Sequence, residues 1–140
     1  MGCTRVIPVL LDTHALVWLM EDSSQLGRRA ARRADTASRT GVLLVSAITF
    51  WEVALLTMRH RLTLAETVTG WRRRVLELGV QEIPVSGDVG ILATELEGIP
   101  ADPADRIITA TALSQGATLI TADERILGWC GNVLRQDARE

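Results

Sequence analysis

Residues 101–123 read ADPADRIITATALSQGATLITAD, and their punctuation predicts a capped helix, a stop and a strand in immediate succession. Asp102 is a natural N-cap, Pro103 suits the first helical position because its φ is already fixed there, and Asp105 falls near the helix's positive end. Ala104, Ile107, Ile108, Thr111 and Ala112 recur at helical spacing before Gly116 supplies the stop. Thr118 to Thr121 then reads as a short strand, with Asp123 just past its carboxyl end. Ligands of open α/β sheets bind outside the carboxyl ends of the strands, so Asp105 and Asp123 can face one crevice. Both acids also serve as ordinary helix-start residues.

Upstream, Val6 to Leu11 (VIPVLL) is a continuous apolar run of the kind a buried parallel strand shows, and Asp12 stands at its carboxyl end. Ala15 to Met20 starts a helix, and Ser23 or Ser24 can cap a second one through Arg28, Arg29, Arg32 and Arg33, a charge run read as a solvated face or a phosphate or partner patch. Gly41 to Val45 forms a second strand, and Ser46 can cap the helix that carries Trp51, Glu52, Val53, Leu55, Leu56 and Met58. Glu52, in the second turn, can reach back to the same crevice. Thr63 and Glu66 fit a capping box for a helix with Leu64, Val68, Trp71, Val75 and Leu78 on one face and Arg72, Arg73 and Arg74 turned outward. Together with Trp51 and Met58, this helix pair carries more apolar surface than a small domain readily covers, and Trp71 reads as a core or partner anchor.

Val80 to Val85 reads as a third strand, and Ser86 caps a helix through Leu96 that Gly98 ends. Beyond Asp123 come a helical turn to Leu127 and a last strand near Val133 and Leu134. Strands alternate with helices throughout, which predicts an α/β fold: a three-layer α/β/α sandwich with a central parallel sheet of four to five strands and right-handed crossovers. A length of 140 residues, 47% hydrophobic and 23% charged, fits one domain over residues 1–140 with a core of ordinary size.

All 15 basic residues are Arg, and the absence of Lys excludes a Walker A phosphate loop, Schiff-base chemistry and the usual receiver domain. Cys3 and Cys130 are too few and too far apart for a thiolate metal site, and they read as reduced thiols of a cytoplasmic protein. The first apolar run is too short for a signal or a membrane span, and Met1-Gly2-Cys3 lacks the downstream hydroxyl residue of a myristoylation signal.

Asp12, Glu52, Asp105 and Asp123 thus have a case for sharing one site. Clustered carboxylates repel one another, and a hard cation such as Mg²⁺, with Mn²⁺ as a substitute, relieves the repulsion through oxygen ligands. A cation held so can activate water against a phosphodiester.

The blocks LLDTHALVW (residues 10–18), SAITFWEVALL (46–56), DPADRIITATA (102–112) and LITADERI (119–126) resemble the PIN-domain nucleases, with VapC-type toxins the nearest likeness. Each block alone is weak, but all four occur in family order across nearly the whole chain. The resemblance implies that Asp12, Glu52, Asp105 and Asp123 are the metal-site acids and that Thr13, Ser46 and Thr121 support them. It further implies a metal-dependent endoribonuclease toxin with an RNA substrate and a VapB-type antitoxin, while the apolar surface of the helix pair predicts a homodimer and the short first apolar run predicts no membrane partner. Two residues depart from the pattern: Ala104 replaces a bulky aromatic, and His60 stands where similar chains often have Gly. Asp102 reads as an N-cap or as a further ligand, and His14 and His60 as structural or surface residues. A haloacid-dehalogenase-type phosphatase would need an acid two residues after Asp12, where His14 stands. A non-catalytic binding module would leave a gap in the acid set, and none is visible. A DNA-directed nuclease of the same fold stays open, because nothing in the sequence reads sugar identity.

Overall fold

A computed structural model describes residues 6–140, so the readings of Met1-Gly2-Cys3 lie outside the described residues. The chain runs β1 (Val9–Leu11), α1 (Thr13–Met20), α2 (Arg28–Arg39), β2 (Leu43–Ser46), α3 (Ile48–Met58), α4 (Val68–Glu77), β3 (Gln81–Ile83), α5 (Gly87–Glu95), α6 (Pro103–Gln115), β4 (Thr118–Thr121), α7 (Glu124–Leu127) and β5 (Arg135–Asp137). The five strands form one parallel sheet in the order β3-β2-β1-β4-β5. Helices cover both faces, which is the predicted three-layer architecture.

The central strands alternate between two cores, as the period-two pleat dictates. Val9, Leu11, Leu43, Val45 and Ile120 join the alanine face of α2 (Ala30, Ala34, Ala37) and the fully buried Trp71 and Val75 of α4. Leu10, Leu44 and Leu119 point the other way, onto Ile108 and Ala112 of α6. Burial on both faces makes these strands read as unbroken apolar runs. On the outer side of α6, Ala110 packs with Val89 and Ala93 of α5.

The starts of α2, α3 and α4 differ from the sequence reading, and at α2 and α4 another group does the capping. Helix α2 begins after Gly27 rather than at Ser23 or Ser24. The carbonyls of Ala138 and Glu140 accept the N–H groups of Gly27 and Ala30 at 2.8 and 2.9 Å, while the Ser23 hydroxyl accepts from Gln25 in a local turn. Thr67, not Thr63, caps α4 by accepting from Gly70, and Glu66 pairs with Arg74 at 2.7 Å. Ser46 ends β2; its hydroxyl accepts from Ile48, but Ala47 is the N-cap position of α3.

Four strands are shorter than expected or displaced, the first being β1, which begins at Val9 rather than Val6. Pro84 removes the donor that would extend β3, and Val85 is exposed. The last strand falls on Arg135–Asp137, beyond Val133 and Leu134, because an edge strand pairs by its backbone and tolerates polar side chains. Gly41, at φ +73°, turns the chain into β2, which therefore begins at Leu43. The apolar surface expected around Trp51, Met58, Leu64, Val68 and Trp71 is divided. Trp71 is core, Leu64 and Val68 pack against it, and Trp51 and Met58 stay exposed. His60 adopts φ +57°, the left-handed region that glycine occupies most easily, which suits the Gly that the resemblance implies at this position.

Candidate active site

Strand β1 lies between β2 on one side and β4 on the other, so the chain's winding reverses at its carboxyl end. Crevices open at such reversals. Asp12 leaves β1 there with its N–H bonded to the Ile120 carbonyl of β4 at 3.1 Å, and its Oδ1 caps α1 by accepting from Ala15 at 2.8 Å. Thr121, the last residue of β4, donates its hydroxyl to Asp12 Oδ2 at 2.6 Å and accepts the N–H of Asp123 at 3.0 Å. One buried threonine therefore ties the two strand-end acids to each other.

Asp12, Glu52, Asp102, Asp105 and Asp123 line a single cavity of about 430 Å³. All four acids predicted for the site meet there. Thr13 lines it too and donates its hydroxyl to Glu52 Oε1, which aims the α3 carboxylate back across the crevice. Asp102 faces the cavity and caps α6 as well, its Oδ1 accepting from Ala104 at 2.9 Å and Asp105 at 3.2 Å. Both sequence readings of Asp102 are thus compatible with its position. Ser46 and Thr121 are fully buried behind the wall and do not line the cavity.

The acids are electrostatically unequal. Burial raises the Asp12 carboxyl above the usual range, against the opposing hydrogen bond from Thr121. Asp105 rises from 3.8 to about 7, first through burial and then through the charges of Asp102, Asp123, Glu52 and Asp12. Burial also lifts Asp123, but hydrogen bonds from the Arg125 side chain and N–H outweigh it and hold the carboxyl below its ordinary value. Arg125 reaches Asp123 through Nε at 3.3 Å and Nη2 at 3.1 Å.

Sequence reasoning passed over Arg125 and Trp18, which complete the cavity wall with His14. A cation two residues after an N-cap acid was the available signal for Arg125. His60 lies elsewhere, on a hollow formed with Thr67 and Val68.

Arg106, inside the DPADR block, spans α5 and α6. Its guanidinium donates to the carbonyls of Ala93 and Leu96 at 2.9 Å and of Ile99 at 3.4 Å, satisfying the orphan acceptors at the end of α5. The start of α6, with Asp102 and Asp105, is thereby fixed relative to α5.

Among the described residues, no three Asp, Glu, His or Cys side chains are grouped tightly enough to hold an ion without adjustment. The donor set nevertheless fits a hard cation. It is all oxygen, it converges from β1, α3, α6 and the turn after β4, and its mutual repulsion adds to burial in raising Asp105.

The sequence pattern of the PIN domain matches residues 9–128. The ribonuclease VapC22 of Mycobacterium tuberculosis is 34% identical over 119 residues, covering 84% of this chain and 88% of that one. Among solved structures, a toxin–antitoxin complex from Klebsiella pneumoniae is 26% identical at a TM-score of 0.57, covering 86% of this chain and 91% of that one. VapBC2 from Rickettsia felis, bound to a promoter DNA fragment, superimposes at a TM-score of 0.69 and 14% identity, covering 93% and 98%, a likeness of fold alone.

Proposed function

The chain belongs to the PIN-domain family, among the VapC-type ribonuclease toxins, and from that premise we propose that it is a metal-dependent endoribonuclease cutting single-stranded or loop RNA. The observation that carries the reading is the Asp105 carboxyl. Burial first, and then the charges of four neighbouring acids that line the same cavity, raise it to about 7, an arrangement that a bound cation would relieve.

Asp12, Glu52, Asp105 and Asp123 would hold Mg²⁺ or Mn²⁺. When bound, such an ion lowers the pKa of a coordinated water and offsets charge on the phosphodiester. The remaining work falls to the chain's own residues. Thr121 orients the Asp12 carboxylate and Thr13 the Glu52 carboxylate. Arg125 neutralises Asp123 and stands at the mouth, where a guanidinium can meet a phosphate. Neither His14 nor His60 is assigned a proton-transfer role.

Residues 1–140 act in this proposal as one PIN-like unit in the cytoplasm, paired as a homodimer and neutralised by a VapB-type antitoxin. The exposed Trp51 and Met58 of α3 support a partner surface. No described helix is long and apolar enough to cross a membrane.

The test is a panel of single-stranded RNA, structured RNA and DNA, incubated with Mg²⁺, with Mn²⁺ and with chelator. RNA should be cut only with metal, leaving a 3′-hydroxyl and a 5′-phosphate. Equal cutting in chelator, or a 2′,3′-cyclic phosphate product, would overturn the mechanism, and cutting of DNA in place of RNA would overturn the substrate.

A further inference from the structure

Helix α2 spends four of its positions on Arg28, Arg29, Arg32 and Arg33, all facing solvent in whole or in part. Among the described residues none of the four forms an ion pair, whereas Arg39 of the same helix meets Asp35 at 3.0 Å. The arrangement opposes the helix's own stability in two ways. Arg28 with Arg32, and Arg29 with Arg33, place like charges at i,i+4, where opposite charges would stabilise. Arg28 and Arg29 also open the helix, at the positive end of its dipole, with no acid in the first turn. Helices α5, α6 and α7 each carry an acid there. Covering the sheet requires only the buried Ala30, Ala34 and Ala37.

The arginine-bearing end of α2 lies at the same edge of the sheet as the acid cavity. Gly27 and Ala30 bond to the carbonyls of Ala138 and Glu140, and the Ala138 N–H bonds at 2.9 Å to the carbonyl of Thr121, two residues before Asp123. Arg29 and Arg33 line a hollow of about 450 Å³ against Arg135 and Gln136 of β5. Arg33 also joins Arg32 in a second hollow of about 300 Å³, walled by Ile7 and Val42. The two hollows share Arg33, the first bordered by the further cation Arg135 and the second walled mainly by apolar side chains. Asp137 and Glu140 are the acids beside the first hollow, and Asp137 is already engaged by Arg139 at 3.0 Å.

We infer that the arginine face of α2 holds the phosphodiester backbone of single-stranded RNA, as an anchor outside the acid cavity; this rests on the ribonuclease reading above. A polyanion removes both internal repulsions at once, and guanidinium forks fit phosphate oxygens. Interactions of this type position a strand without reading its bases. Without a cation the acids of the cavity repel phosphate, so a separate basic surface gives the strand a place to be held outside it.

The test titrates a labelled single-stranded RNA into the non-cutting Asp12→Asn protein in Mg²⁺ over a series of salt concentrations. It is repeated with Arg28→Gln, Arg29→Gln, Arg32→Gln and Arg33→Gln added together, and with the pairs 28/32 and 29/33 added separately. Gln keeps helix propensity, and circular dichroism checks the fold; should the fourfold variant fail to fold, the two pairs carry the test. Affinity at low salt should fall about tenfold or more, and the slope of log K against log salt should shrink by roughly 0.7 for each phosphate that no longer meets an arginine. Unchanged affinity and slope in folded variants would overturn the inference alone. So would variants that keep RNA binding but lose an acidic protein partner. Wild type that binds RNA through α2 yet cuts none in Mg²⁺ would overturn only the reading of the cavity.

Discussion

The acids of the cavity come from β1, α3, α6 and the turn after β4 and converge in space, whereas the arginines of α2 crowd into residues 28–33 and diverge into solvent. Both are clusters of like charge, but the first is partly buried and the second is exposed. Asp105 reaches about 7 because burial removes the water that would screen Asp102, Asp123, Glu52 and Asp12 from it. Exposed arginines keep that water, so their repulsion is weak and salt-sensitive. Charge brought together by topology can tune chemistry, and charge brought together by sequence can only attract.

The strongest way to break this contrast is Asp12→Asn, which keeps the cap on α1, since Asn is as good an N-cap, and removes one charge from the cavity. Cleavage should fall by more than about 100-fold, the upper end of what loss of an outer-shell partner costs. The metal-free variant should be as stable as wild type or more so, by on the order of 1 kcal/mol. Millimolar Mn²⁺ should reverse that order, because an intact site saturated about 100-fold above its Kd gains about 2.7 kcal/mol. Thermal melts with chelator and with Mn²⁺ decide it. A variant destabilised without metal but still fully stabilised by it would make Asp12 a structural acid.

Next in size is Thr121→Val, which keeps the shape of the side chain but deletes the bond to Asp12 Oδ2 and the acceptor for the Asp123 N–H. A loss of about 1–3 kcal/mol is expected in denaturant unfolding. Mn²⁺ affinity by calorimetry should fall roughly 10- to 100-fold. Unchanged affinity would show that the buried threonine contributes packing only.

Titration of Asp105 gives a smaller effect with a definite sign. Its folded pKa, about 7, lies above the reference value of 3.8, so between those values the folded chain binds the proton more tightly than the unfolded one. Stability of the metal-free protein should therefore fall as pH rises from about 4 through about 7 and level off above, by on the order of 1–2 kcal/mol once the carboxyl's partial exposure is allowed for. Asp105→Asn should flatten this part of the profile. An equal slope in the variant would assign the effect to other groups.

The smallest expected change is on the arginine side. With Arg28, Arg29, Arg32 and Arg33 all changed to Gln, metal-free stability should rise by roughly 0.2–0.5 kcal/mol for each i,i+4 pair removed. The gain should vanish in high salt. A loss of stability would mean that the arginines hold protein groups in place.

Sequence reasoning reached the two regions unequally. The cap at Asp102, Pro103 at the helix start and the left-handed Gly116 were legible because they are local backbone requirements, and the structure repeats them. Convergence of the four acids was legible only through strand ends, since a parallel sheet puts those ends on one edge. The start of α2 was not legible, because its caps are carbonyls more than a hundred residues downstream. Nor was the exact span of β5, which backbone pairing sets just beyond the Val133 and Leu134 read as the last strand. The capping box read at Thr63 and Glu66 failed for a related reason. Arg74 claimed Glu66, and Thr67 was free to cap instead.

The bond from Thr121 to Asp12 joins residues 109 positions apart, and β1 has β4 as one of its two neighbours. At about 5–20 residues per second, a ribosome needs about 5–20 s to deliver the second partner after the first. Throughout that interval the nascent chain carries Asp12 with one flank of its strand unpaired, and Asp123 has not yet been made. A chain of this topology therefore cannot bring its acid cluster together until Asp123 has been made and β4 has paired with β1.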